Sequence, residues 1–165
     1  MATDKKLLLR IRLLILFFII ALALSGITAF PVETELQSLM ARRPQMPAPL
    51  AAFITQCYEG ISITNSRYPM LAYGYDWLAF AHLVIAMAFI GPLKDPVKNI
   101  WVIEWAMLAC IAIIPLAMIA GPIRQIPFYW RCIDCSFGII GIIPLWIVRR
   151  WIKKLELTQL KANQR

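Results

Sequence analysis

Between Asp76 and Trp151 polar residues interrupt the sequence mainly where the chain has to turn, and this fixes the solvent before it fixes the fold. Three runs in that stretch, 75–93, 101–120 and 127–148, are long enough as helices to cross the ~30 Å hydrocarbon core, which takes about 20 residues. A fourth run, 11–30, lies near the N-terminus and is rich in Leu, Ile and Phe. The expected fold is an all-α membrane protein, a single four-span domain. Its four transmembrane helices form an antiparallel bundle, with a long extracytoplasmic loop of short amphipathic helices between TM1 and TM2.

Composition agrees with that class: 61% of the 165 residues are hydrophobic and the mean hydropathy is +0.69, well outside ordinary soluble usage. The net charge of +8 would point to nucleic acid in a soluble chain. Here the basic residues cluster at the ends of apolar runs, as membrane topology signals do. The expected partners are therefore the lipid bilayer and other membrane-protein subunits, with no nucleic acid. The four cysteines are Cys57, Cys110, Cys132 and Cys135. They form no secreted disulfide framework, and one Cys-x-x-Cys without a second pair or a His pair is no zinc site, so no metal is expected.

TM1, at 11–30, follows a basic segment and reads as an uncleaved signal anchor, its apolar run being longer than a signal-peptide core. The loop, 31–73, is broken by Pro31, Pro44, Pro47, Pro49 and Pro69. Within it, Glu33 to Arg43 and Leu50 to Ile61 carry apolar residues at helical spacing, predicting two short surface helices. TM2 (75–93) opens on Tyr73, Tyr75 and Trp77, an interfacial aromatic belt, and stops at Gly91-Pro92. TM3 (101–120) holds Pro115, a predicted kink. TM4 (127–148) starts at Pro127, beside a second belt of Phe128, Tyr129 and Trp130. A polar tail, 149–165, closes the chain.

Orientation follows from the cationic residues. With the N-terminus in the cytoplasm, twelve of the seventeen lie inside, and five lie outside: Arg42, Arg43, Arg67, Arg124 and Arg131. Both termini are then cytoplasmic and 31–73 is extracytoplasmic, in a bacterial-type inner membrane.

That orientation gives the polar residues a depth. His82 lies roughly 8–10 Å along TM2 from Asp76, at ~1.5 Å per residue. Arg131 and Asp134 fall in the outer part of TM4. Isolated charges at such depths cost at least ~2.5–3.5 kcal/mol each, so Asp76, His82, Arg131 and Asp134 are expected to share one layer. Arg131 is expected to pair with Asp76 or Asp134. The cluster is either a structural clasp or a ligand or proton site built on His82. Ala79, His82 and Ala86 share one stripe of TM2, and Asp134, Gly138 and Gly141 share one of TM4. A lone histidine excludes bis-His haem within one subunit, and haem is not expected. Glu104, in the first turn of TM3, is expected to form a cytoplasmic-side ion pair with Lys94, Lys98 or Arg149.

Cys132-Ile133-Asp134-Cys135 is the motif best suited to carry a reaction, since Arg131 beside it would favour a thiolate. With four spans, a large first outer loop and Cys-x-x-Cys near the outer end of the fourth span, the chain resembles the vitamin K epoxide reductase family. The resemblance implies that Cys132 and Cys135 form a quinone-facing redox pair and that Cys57 passes electrons to it. That family carries two loop cysteines where this loop has Cys57 alone. The sequence shows no nucleotide loop, metal cluster or nucleophile–base pair. The expected role is therefore a non-enzymatic subunit or accessory factor, or a binder of a lipid- or quinone-type ligand at the outer polar layer. The alternative is a quinone-linked thiol–disulfide oxidoreductase.

Overall fold

A computed structural model describes residues 2–163, with side chains over 5–161. Arg165, counted among the cationic residues above, lies outside the described residues. The chain is all-helical, with no strand among the described residues. In order it forms α1 (Ala2–Ala29), α2 (Val32–Ala41), a 3-10 turn over Arg43–Gln45, α3 (Ala48–Arg67), α4 (Pro69–Ala88), α5 (Ile90–Lys94), α6 (Ile100–Ile123) and α7 (Phe128–Asn163).

Four stretches are long and apolar enough to cross a membrane: Lys5–Ala29, Pro69–Lys94, Ile100–Ile123 and Phe128–Lys161. Their apolar side chains are largely uncovered. Leu13, Phe17 and Leu24 on α1, Leu108 and Ile119 on α6, and Phe137 and Ile140 on α7 are all exposed. A water-soluble chain does not leave apolar surface of this extent open. The exposure is compatible with a small integral membrane protein whose helices face lipid.

Helix limits follow local chemistry. Pro69 supplies a preset φ and no amide at the first turn of α4, so that helix starts at Pro69, earlier than the aromatic belt alone suggests. Tyr68 before it takes the extended φ of −138° that a residue preceding proline prefers. Gly91-Pro92 does not end the second span, because α5 continues past it to Lys94. α6 runs through Pro115 as one helix. α7 continues well beyond 148, where the sequence suggests a polar tail. Leu145, Val148, Ile152 and Leu155 recur at helical spacing and all four are buried, so the polar residues around them form the outer face of an amphipathic helix.

The chain packs as two compact units, one of residues 20–87, the other of the described residues up to 19 together with those from 88 onward. In the first unit, α1 and α4 meet at Gly26. A Cβ there would fall 2.8 Å from the Ala79 carbonyl oxygen and 3.1 Å from the Leu83 side chain. Only glycine permits so close an approach of two backbones, the device membrane helices use to gain contact. Ala79 and Ala86 are buried along the same helix. α2 lies on α3, with the Thr55 hydroxyl donating to the Met40 sulfur at 3.7 Å and Asn65 Nδ2 donating to the Glu33 carboxylate at 2.5 Å.

In the second unit α6 packs along α7. Val102, Ile103 and Ala106 are buried on α6, as are Leu145 and Val148 on α7. Glycine again sets the spacing, since a Cβ on Gly138 would run into the backbone carbonyl of Cys110. Phe18 stacks on Phe89 with ring centroids 5.8 Å apart. Arg12 donates from Nε to the Leu93 carbonyl and from Nη2 to the Lys94 carbonyl, both at 3.1 Å, serving carbonyls at a helix end that have no helical partner. Asn99 holds the following turn by donating to the carbonyls of Gly91 (3.2 Å) and Asp95 (2.9 Å). Between α6 and α7 the Ile126 amide donates to Gly121 and Gln125 sits at a left-handed φ of 57°, a Schellman-type stop.

Candidate functional site

The site grows out of a corner in the first unit. α1 ends at Ala29, Pro31 precedes α2, and Phe30 is left at the turn between them. On α4, Tyr73, Trp77 and Phe80 follow at i, i+4 and i+7, which places them on one helical face. Tyr73 meets Trp77 edge to face at 5.9 Å, and Trp77 meets Phe80 in the same manner at 6.0 Å. With Phe30 and Asp76 these rings line an open cleft of roughly 260 Å³. A second cleft, roughly 220 Å³, shares Phe30 and Asp76 and adds Glu33, Thr34, Asn65 and Tyr75 among its walls.

Two carboxylates, Asp76 and Glu33, stand at this corner beside the hydroxyls of Thr34 and Tyr75. Asp76 is half-buried, stands on the wall of both clefts, and has no ion pair or hydrogen bond among the described residues. Glu33 takes the amide donor of Asn65, while Asn65 Oδ1 is buried with no hydrogen-bond partner. Neither lining contains a Lys or Arg.

His82 lies nearly two turns further along α4, half-buried between the buried Ala79 and Ala86. Its Nδ1 is 2.9 Å from the Leu78 carbonyl. A carbonyl only accepts, so Nδ1 is the donor of this bond.

Arg131 and Asp134 belong to the second unit. The stem of Arg131 crosses Gly121, where a Cβ would collide with it, and its guanidinium lies over the Phe128 ring at 5.1 Å. Its Nε is buried without a hydrogen bond. Asp134 lines a mostly apolar cleft of roughly 280 Å³ together with Arg124, Ile113 and Leu116. No ion pair joins Arg131 to Asp134 among the described residues; the ring one turn earlier holds the guanidinium instead. Glu104 accepts a 2.7 Å hydrogen bond from Arg149 Nε, tying α6 to α7.

All four thiols are free: Cys132 exposed, Cys135 buried, Cys57 and Cys110 half-buried. Cys132 and Cys135 sit at i and i+3 of the continuous helix α7. Side chains so placed have Cβ atoms about 5–6 Å apart, against ~3.5–4.5 Å in a disulfide. Burial pushes the Cys57 thiol above the ordinary range. Among the described residues no group of His, Cys, Asp and Glu could hold a metal ion.

Phe30, Phe80, Glu33 and Asn65 enter the site although sequence reasoning does not single them out. The ring spacing on α4 carries a signal, but there it reads as an interfacial belt. The Asn65–Glu33 bond joins positions 32 apart and leaves no periodic trace. Set against known proteins, the chain matches no family model, no curated sequence and no solved structure.

Proposed function

We propose that this is a small polytopic inner-membrane protein, non-enzymatic, that binds a lipid- or quinone-type amphiphile at the Asp76 corner as an accessory subunit of a membrane assembly. The observation that carries this reading is Asp76 itself: a half-buried carboxylate on an apolar helix, shared by two clefts and without a partner among the described residues. A carboxylate left without a partner beside apolar surface carries a desolvation cost, and a ligand that completes it offsets that cost on binding. The distribution of Lys and Arg supports cytoplasmic termini, which sets the corner in the outer half of the bilayer. His82, nearly two turns further along α4, belongs to the same polar layer in this reading.

The test is extraction. Protein purified in mild detergent, alongside an Asp76→Leu variant of equal thermal stability, is stripped with organic solvent and its lipids and quinones are quantified. The wild type is expected to retain one amphiphile near stoichiometric amount, and the variant to lose it about tenfold, equivalent to ~1.4 kcal/mol. Equal recovery from both proteins overturns the reading.

A further inference from the structure

We infer that the charged end of the second unit, where α5, the start of α6 and the last part of α7 carry their cations, is a docking surface for anionic phospholipid head groups, seated on Arg150. The inference goes beyond the Asp76 reading and stands or falls without it. Residues 94–104 and 149–154 hold six Lys and Arg and two acids, Asp95 and Glu104. Both acids are already engaged, Asp95 with Lys98 at 3.8 Å and Glu104 with Arg149 at 2.7 Å. The other four cations, Lys94, Arg150, Lys153 and Lys154, are exposed and have no ion pair among the described residues. Arg12 adds a further charge from α1, because its guanidinium sits on the carbonyls of Leu93 and Lys94.

Positive charge at one end of a set of spanning helices is what topology requires, and it accounts for the lysines. It does not account for how Arg150 is held. Its guanidinium lies 3.7 Å from the centroid of the Trp146 ring, one turn earlier on α7, and its N–H donors have no acceptor among the described residues. A planar fork held on a ring face is arranged to meet two oxygens at once, as a phosphodiester presents them. Trp146, Arg150, Lys153 and Leu157 follow at i, i+4, i+7 and i+11, which sets them on one helical face. All four are exposed, on the side away from the buried stripe of Leu145, Val148, Ile152 and Leu155. An exposed tryptophan at the end of an apolar span belongs at head-group level. Arg150 is about 6 Å further along the axis, at ~1.5 Å per residue, among the phosphates. Trp and Leu interleaved with Arg and Lys compose the helix faces that rest on anionic membranes. A free phosphate would leave Leu157 uncovered, and a choline or ethanolamine head brings its own cation to the phosphate.

The experiment is calorimetric titration of the full chain in neutral detergent with short-chain phosphatidylglycerol, short-chain phosphatidylcholine, inorganic phosphate and an oligoglutamate peptide. Phosphatidylglycerol is expected to bind about tenfold more tightly than phosphatidylcholine, and more tightly than phosphate or the peptide. Arg150→Gln should weaken phosphatidylglycerol by about tenfold and leave phosphatidylcholine unchanged. Arg150→Lys keeps the charge but not the fork, and its expected loss is about threefold. Trp146→Leu removes the ring beneath the guanidinium, with a loss of similar size. Arg42→Gln, an exposed position in the first unit, removes the same charge as Arg150→Gln and should change nothing. The inference is overturned if the two phospholipids bind equally, if Arg150→Gln has no effect, or if Arg42→Gln costs as much and net charge alone is acting. Phosphate binding as tightly as the lipid would leave a plain anion site, and tighter binding of the peptide would make this a protein-facing surface. Either result also overturns it.

Discussion

Gln125 holds a left-handed φ of 57° with a side chain that gains nothing from it. Non-glycine residues there cost about 1–3 kcal/mol, so Gln125→Gly is expected to stabilise the protein by ~0.5–1 kcal/mol after glycine's own entropy loss. Thermal melting in a fixed detergent reads the sign, and no gain would show that the backbone there is relaxed. Cys57, on α3 outside the spans, is governed by burial. With its thiol pKa raised, maleimide should modify it more slowly than an unfolded control at neutral pH and catch up only on the alkaline side of the ordinary thiol range. The linked stability has the same sign. It is complete below the unfolded thiol pKa and declines as pH rises through the higher folded value. Asp76 and His82 could be read from the sequence as functional candidates because each is ionisable in an apolar run. Asn65 could not, because its importance comes from one unpartnered atom that only the α2–α3 packing reveals.

At the scale of elements, the decisive residues are small. Gly138 lets α7 rest against the Cys110 backbone on α6, whereas a Cβ on Gly74 or Gly60 would meet nothing within 4 Å. Gly138→Ala is therefore expected to cost about 1–3 kcal/mol through overpacking. Gly74→Ala and Gly60→Ala should be neutral or gain ~0.5–1 kcal/mol from helix propensity. Unfolding of the three variants side by side checks the contrast, and equal effects would remove close packing as its cause. The four long apolar helices were legible from run length alone. The true ends of two were not. α4 begins at Pro69 because proline starts helices as readily as it stops them, and α7 runs on to Asn163 because its last turns trade an apolar run for an apolar stripe.

For the whole molecule, orientation decides which compartment the Asp76 corner meets. In the reading proposed above, residues 31–73 lie outside and both ends inside. Ser38→Cys should accordingly react with a membrane-impermeant maleimide applied to intact cells, and Gln159→Cys only after the cells are broken. The reverse pattern would invert the topology and move the Asp76 corner to the inner leaflet. The clasp between Arg12 and the carbonyls of Leu93 and Lys94 bears on how such a chain is made. The acceptors leave the ribosome about eighty residues after the guanidinium that binds them. The first helix can enter the bilayer alone, but its amino-terminal turns acquire their final anchor only when the second hydrophobic segment has been synthesised, which makes biogenesis of this protein a sequence of docking events rather than of independent insertions.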